Sequence, residues 1–415
     1  MRVLFTVSDW PGHWSAMVPL GWALQGAGHE VRVLCAPSQT EPLTRAGLTA
    51  VPLLGGWDMA VQGRLQNYVS ARDGQWRFAE PPPHPVTGQP LARLADFDLG
   101  GWFAQYHPTL VADATRSTDA AVGYARHWQP QLVVHDQLSI EGPLVGRVLD
   151  VPAVLQLWGP VGPADEGEGL IMLPPDYSGA FRRHGVGDHG PQHYAYAIDP
   201  CPPAVAPPLR GAARRLPVRF LPYNGPGAEP GWLAGLPERP RVCVVWGTSV
   251  SDMFGEVSFA VPKVIEALAA LDVEVVLTLT GADRERTERL GELPPNVRLL
   301  ERVPLHLLLP HCDLVVHHGG AGCVMTALAA GTPQLALPNG LDQHRNAERI
   351  TAAGIGLGLP NATARADDIR TAATTLLGDP AHRAAARRLR EENDRRPAPA
   401  ELVRTLQELA AVAAR

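Results

Sequence analysis

Residues 313–338 read DLVVHHGGAGCVMTALAAGTPQLALP, an apolar strand, a glycine-rich turn, a helix and a second apolar strand in close succession. A chain that alternates strands and helices this tightly folds as a parallel, doubly wound sheet with helices on both faces. The same rhythm opens the sequence. VLFTV (3–7) reads as a strand, 17–28 as a helix closed by Gly28, and EVRVLCA (30–36) as the returning strand. QLVVH (131–135) ends at Asp136, and a helix to about Leu149 and a strand VPAVLQLW (151–158) follow.

A second set begins after a Pro/Gly-rich stretch, LPYNGPGAEPGWLAGLPERP (221–240). Strands are expected at 241–247, 274–280, 296–303, 313–318, 333–338 and 355–360, with helices near 259–271, 282–291, 304–311, 321–330, 343–353 and 366–378. The chain of 415 residues therefore divides into an α/β domain over 1–220, a linker over 221–240 and a second α/β domain over 241–380. The tail, 381–415, is helical. Its Leu402, Leu406, Leu409 and Ala413 form a stripe that should pack on a domain. Two stretches, 55–105 and 159–215, read as long irregular loops, the kind that usually serve function.

Composition narrows the function. A net charge of −6 and a pI near 6.2 argue against a nucleic-acid partner. The five cysteines make no CxxC pair, as expected of reduced thiols in the cytoplasm. MRVLFTVSDW reads as a first strand rather than a signal peptide, and no run is long enough to span a bilayer.

In open α/β sheets, ligands bind beyond the carboxyl ends of the strands, at helix N-termini. HHGGAG brings the chain to such a place. Glycines permit close backbone approach, and the unpaired N–H groups of the next helix suit a phosphate. No Walker lysine is present, so this is not a P-loop. A plain glycine turn with packed histidines fits the composition equally well. The following unit, LPNGLDQHRNAERI, adds Asp342 and Gln343 at the next strand end, a carboxylate/amide pair suited to a sugar.

Together, HHGGAG, ALAAGTPQLALP and the DQ..NAERI segment resemble the nucleotide-sugar signature of family 1 glycosyltransferases with the GT-B fold. GHWSAMVPLGWALQGAGHEVRVLCAPS, RVCVVWGTS and ERVPLHLLLPHCD are similar to the bacterial branch that decorates macrolides and other polyketides with deoxysugars. The resemblance implies two Rossmann-like domains facing each other across a cleft, an acceptor half (1–220) and a donor half (241–380).

Residue by residue, it implies that His318, Gly320, Ala321 and Gly322 hold the donor diphosphate. His317 is left between that role and the core. Cys323 stands where the family has Ser or Thr, and a thiol is a weak donor. The resemblance further implies that Asp342 and Gln343 bind the sugar, that Arg302 and Val303 meet the nucleobase, and that Thr248 and Ser249 approach the phosphates. It assigns His13 the role of general base, accepting a proton from the acceptor hydroxyl. Asp136 is then either the group that orients His13 or a helix cap.

No metal and no resident cofactor are expected. Asp96-Phe97-Asp98 lies in a variable loop, and His184, His189 and His193 lack a fourth ligand. Eight of the ten tryptophans precede residue 160. Trp22 is expected in the core, while Trp14, Trp57, Trp76 and Trp102 are candidate walls for an apolar aglycone. The co-substrate would be a TDP-sugar or a UDP-sugar. A homodimer and an auxiliary activator protein stay open as partners. The rival function is a catalytically silent helper of another transferase, which would have no need of His13, His318 or the Asp342-Gln343 pair.

Overall fold

The computed structural model describes every residue except 56–57, 166–169, 171, 212, 236, 280–285, 287, 302, 341 and 414–415. Two parallel sheets organise the chain. The first has strands β1 (Arg2–Thr6), β2 (Glu30–Leu34), β3 (Thr49–Val51), β4 (Leu132–His135), β5 (Ala153–Gln156), β6 (Tyr196–Asp199) and β7 (Arg214–Pro217) in the order β3-β2-β1-β4-β5-β6-β7. The second has β8 (Arg241–Trp246), β9 (Glu274–Leu279), β10 (Val297–Glu301), β11 (Leu314–His317), β12 (Gln334–Ala336) and β13 (Gly356–Gly358) in the order β10-β9-β8-β11-β12-β13. Strand order reverses between β1 and β4, where Val3 pairs with Leu132, and between β8 and β11, where Leu314 pairs with Val242. Each reversal opens a crevice between helices that leave in opposite directions.

Both faces of each sheet are covered, which is why the central strands β1, β4, β8 and β11 carry continuous apolar runs rather than alternating ones. In the first sheet, Val3, Phe5, Leu132 and Val134 face the Val18–Gly26 helix, while Leu4, Leu34 and Val133 face the Leu99–Trp128 and Glu141–Leu149 helices. In the second, Val244, Leu277 and Val316 face the Val261–Ala269 and Ala366–Gly378 helices. Cys243, Val276 and Val315 face the other way, towards Leu308 and Ala327.

The tail returns to the start. Leu402, Val403 and Leu406 of the Pro399–Ala413 helix enter the first sheet's core beside Leu20 and Leu24, and Leu409 packs against it. Ala413, expected on that stripe, is exposed because it lies past the edge of the contact.

Two expectations are corrected. The stretch 55–105 contains a 14-residue helix, Met59–Arg72, and the beginning of the 30-residue Leu99–Trp128 helix. Met59–Arg72 escapes an apolar-stripe reading because its buried face is Gly63, Arg64, Asn67 and Tyr68. Its cap is legible, since Asp58 accepts from the N–H groups of Ala60 and Val61. Likewise, 159–215 contains β6 and the beginning of β7. β7 is charged because it is an edge strand. Trp22 is also not core. It is 45% exposed, with its indole N–H donating to Ala46 O at 2.7 Å. The helix expected at 282–291 falls largely outside the described residues.

Leu406 is fully buried. Leu406→Ala is expected to lower stability by roughly 2–5 kcal/mol, the usual cost of an emptied leucine site, read as a lower denaturant midpoint.

Candidate active site

The first crevice is built from the ends of β1 and β4. After β1, Ser8 and Asp9 lead into a single helical turn, Pro11–Trp14, that carries His13. After β4 comes Asp136, fully buried. Its Oδ1 accepts from Leu138 N–H at 2.7 Å and Ser139 N–H at 3.0 Å, shaping the turn into the Glu141–Leu149 helix. Its Oδ2 accepts from Ser8 N–H at 2.6 Å and from the Ser8 hydroxyl at 2.9 Å. Asp136 makes no direct bond to His13. Ser8 Oγ lies between them, 2.8 Å from His13 Nδ1. One face of the His13 ring stacks on Trp158, with centroids 4.1 Å apart and planes 14° from parallel.

Burial decides the charges here. It pushes the His13 imidazole down to about 3, so the ring is neutral, and the Asp136 carboxyl up to about 6, leaving it ionised at pH 7.

The second crevice lies at the ends of β8 and β11. His317 is fully buried, its Nδ1 accepting from Gly319 N–H and its Nε2 lying 3.0 Å from Gln334 Oε1. Since Nδ1 accepts, the proton sits on Nε2 and is donated to Gln334. His317 is therefore a core residue. His318 points the other way. Its Nδ1 is buried without a partner among the described residues, and its ring curls over Gly320. A Cβ at 320 would stand 2.4 Å from His318 Nε2. Gly319 has φ +88°, so the turn needs both glycines.

Gly320 then caps the Ala321–Ala330 helix, whose first-turn N–H groups have no helical acceptor. Burial holds His318 near 3 and pushes the Cys323 thiol up to about 12. Asp342 opens the next helix, Asp342–Ala352, and burial raises its carboxyl to about 6. Gln343 Oε1 accepts from Asn339 N–H at 3.0 Å, and Asn346 Nδ2 donates to both Gly319 O and Asp342. The two glycine turns are thereby tied together.

The crevices meet. One cavity of about 280 Å³ is lined on one side by Trp10, His13 and Trp158 and on the other by His318, Gly320–Cys323, Asp342 and Gln343. A second, about 680 Å³, shares Gly322 and Cys323 and continues past Trp246, Thr278, Val303 and Leu305. A third, beside Ser8, is walled by Leu54, Tyr106, Leu110 and Ile140 and shares Met59, Gln62 and Leu138 with the first.

Other assignments move. Arg302 and Trp57 lie outside the described residues, as do the side chains of Thr248 and Ser249, whose backbone opens the Thr248–Phe254 helix directly after β8. Trp14 is buried at 3% exposure, with its indole bonded to Gln39, and does not reach the His13 cavity. Trp76 stacks on Phe254 beside a separate open cavity, and Trp102 stacks behind Tyr106. The tryptophans that do line the His13 cavity are Trp10 and Trp158. Sequence reasoning missed them, although both stand just past a strand end. Asp98 caps the Leu99–Trp128 helix and Asp96 pairs with Arg93, so the DxD carboxylates are spent on local structure. His184 pairs with Asp119, and His189 lies 3.1 Å from the Tyr194 hydroxyl.

Two Rossmann-like sheets whose switch points face one cavity are the architecture of the GT-B fold. Models of the erythromycin biosynthesis protein CIII-like family match residues 22–247 (N-terminal domain) and 262–409 (C-terminal domain), and the chain belongs to this family. It is 34% identical to 3-alpha-mycarosylerythronolide B desosaminyl transferase of Saccharopolyspora erythraea, over 99% of each chain. It is 35% identical to aklavinone 7-beta-L-rhodosaminyltransferase of Streptomyces galilaeus, over 99% of this chain and 96% of the relative. The solved structure of spinosyn rhamnosyltransferase SpnG with thymidine diphosphate superposes with a TM-score of 0.74 at 30% identity, covering 98% of this chain and all of that one. The same protein has been solved with spinosyn aglycone, at the same TM-score. The chain is accordingly a glycosyltransferase of the antibiotic-decorating type.

Gly320→Ala is expected to drive the His318 ring off the glycine turn. A crystal structure of the variant checks this by the ring position, which a merely permissive glycine would leave unchanged.

Proposed function

We propose that this enzyme moves a deoxysugar from a TDP-sugar to a hydroxyl of a polyketide-type aglycone, with inversion at the anomeric carbon and His13 as general base. The observation that carries the reading is the single cavity with His13 on one wall and His318, the helix N-terminus and Asp342-Gln343 on the other. The relatives that act on macrolide and anthracycline aglycones, and the neighbour solved with thymidine diphosphate, support the substrate classes.

In this reading the halves 1–220 and 241–380 serve acceptor and donor. The nucleoside occupies the cavity past Val303 and Trp246, and the backbone of Thr248 and Ser249, which opens the helix after β8, approaches the phosphates. The diphosphate meets the N–H groups of residues 320–323 and His318. Cys323 contributes its backbone, since a thiol held up to about 12 is a poor donor and stays uncharged beside an anion. Asp342 and the Gln343 amide read the sugar, and the aglycone enters from the cavity walled by Leu54, Tyr106 and Leu110.

His13 Nε2 takes the proton of the acceptor hydroxyl. The freed oxygen pair forms the bond to the anomeric carbon as the bond from that carbon to the diphosphate oxygen breaks, and that pair leaves with the diphosphate. Donors fixed in advance at the helix start stabilise the departing charge. Trp158 offers its π-face to the imidazolium that forms. The low ground-state basicity of His13 is offset when the donor brings negative charge into the same cavity.

Calorimetric titration with TDP and UDP tests the donor site. TDP should bind, and His318→Ala should weaken it about 10- to 100-fold, a hydrogen bond to a charged group being worth about 1.5–3 kcal/mol. His13→Ala should keep that affinity while kcat falls by about 10²–10⁴-fold. Tighter binding of UDP would redirect the donor assignment. Absence of nucleotide binding would favour the silent-helper reading.

A further inference from the structure

We infer that Ser8 is a positioning residue for catalysis, a one-way hydrogen-bond relay that carries the charge of Asp136 to His13 and fixes which nitrogen of the ring is free to act. The inference rests on the reading of His13 as the base.

The argument is an account of hydrogens. Asp136 receives four donors, Ser8 N–H and Ser8 O–H on Oδ2, and Leu138 N–H and Ser139 N–H on Oδ1. Four donors fill the carboxylate's lone-pair sites, so it acts only as an acceptor. The serine hydroxyl owns a single hydrogen, and that hydrogen is committed to Asp136. The 2.8 Å contact between Ser8 Oγ and His13 Nδ1 therefore takes its hydrogen from the histidine. The neutral ring is the Nδ1–H tautomer, leaving the lone pair on Nε2. No bond from a described residue engages Nε2, and His13 lines the cavity shared with His318 and Asp342. The polarity runs in one direction, from His13 through Ser8 to Asp136. When Nε2 gains the acceptor's proton, the Nδ1–H bond to Ser8 is kept and strengthened by charge.

The relay makes the ring sensitive to Ser8 as well as to Asp136, whereas a direct histidine–aspartate contact would leave it insensitive to Ser8. Ser8→Ala removes the connector and leaves the ring free to sample both tautomers. Asp136→Asn can turn an amide N–H towards Ser8, which then donates to Nδ1 and moves the ring proton to Nε2, the wrong nitrogen. In a Ser8→Ala background that reversal has no path to the ring.

The test reads the tautomer directly, by ¹⁵N NMR of histidine-labelled protein without ligand, His13 being assigned by its loss in His13→Gln. The expected result is a protonated Nδ1 in the wild type and in Ser8→Thr, and mixed tautomers in Ser8→Ala. Turnover, measured with a TDP-deoxysugar and aglycone pair shown to give product, should fall about 10- to 100-fold in kcat for Ser8→Ala with KM little changed, and recover in Ser8→Thr. Asp136→Asn should cost more than Ser8→Ala, and the double variant should cost no more than Asp136→Asn. A wild-type ring protonated on Nε2, or full kcat in Ser8→Ala, overturns the relay. Full turnover in His13→Ala would instead remove the base assignment and leave the tautomer result standing.

Discussion

The site depends on one close approach between the two halves of the chain. Gly159, just past the end of β5, lies against Ala321 at the start of the Ala321–Ala330 helix, so near that a Cβ on residue 159 would meet the alanine methyl at 2.7 Å. The preceding residue is Trp158, whose face carries His13. The absence of a side chain at 159 thus lets one loop serve both walls of the cavity. The same loop is held from the other side, where Arg349 of the Asp342–Ala352 helix donates to Asp165 at 2.6 and 3.0 Å and to Pro160 O. The helix that begins with Asp342 and Gln343 therefore also anchors the loop that carries Trp158 against His13. Met59–Arg72 closes the opposite edge, with Arg64 and Asn67 donating to the carbonyls of Asp252 and Met253 at 3.0 and 2.9 Å. Those bonds go to backbone, so they hold the halves together without prescribing side chains on the partner helix.

The electrostatics of the cavity follow from dryness more than from net charge. His13 and His318 are both held neutral by burial, while Asp136 and Asp342 are held near the point of protonation. An anion entering such a site raises the affinity of His13 and His318 for protons, because nearby negative charge favours the imidazolium. Helix amides, which carry partial positive charge and cannot titrate, do the rest.

Much of this was legible in the sequence because the constraints are local. A strand buried on both faces has to be apolar throughout, and LVVH and VCVV announce that without an alignment. The glycine turn was readable because 319 and 320 leave no room for side chains. What stayed hidden depends on contacts distant in sequence. Met59–Arg72 buries polar residues against the other half, so it shows no apolar stripe. β6 and β7 are short, and β7 carries two arginines along its edge. Ser8 looks like an ordinary turn residue until Asp136, 128 positions later, comes within 2.9 Å of its hydroxyl. Trp158 could be placed at a strand end but not against His13, since that stacking joins residues from β1 and β5 across the sheet.

The return of the last helix has a consequence for how the chain is made. Leu402, Val403 and Leu406 complete the same core that begins with Val3 and Phe5, and Gln407 reaches back to His29, 378 positions earlier. As the polypeptide leaves the ribosome, its first sheet forms with one apolar flank uncovered and has to wait for all of the second sheet to be synthesised before that flank is closed. The two sheets can each collapse in turn, but the first is finished last, once the Pro399–Ala413 helix has emerged, so the synthesis of that helix acts as the clock for its maturation.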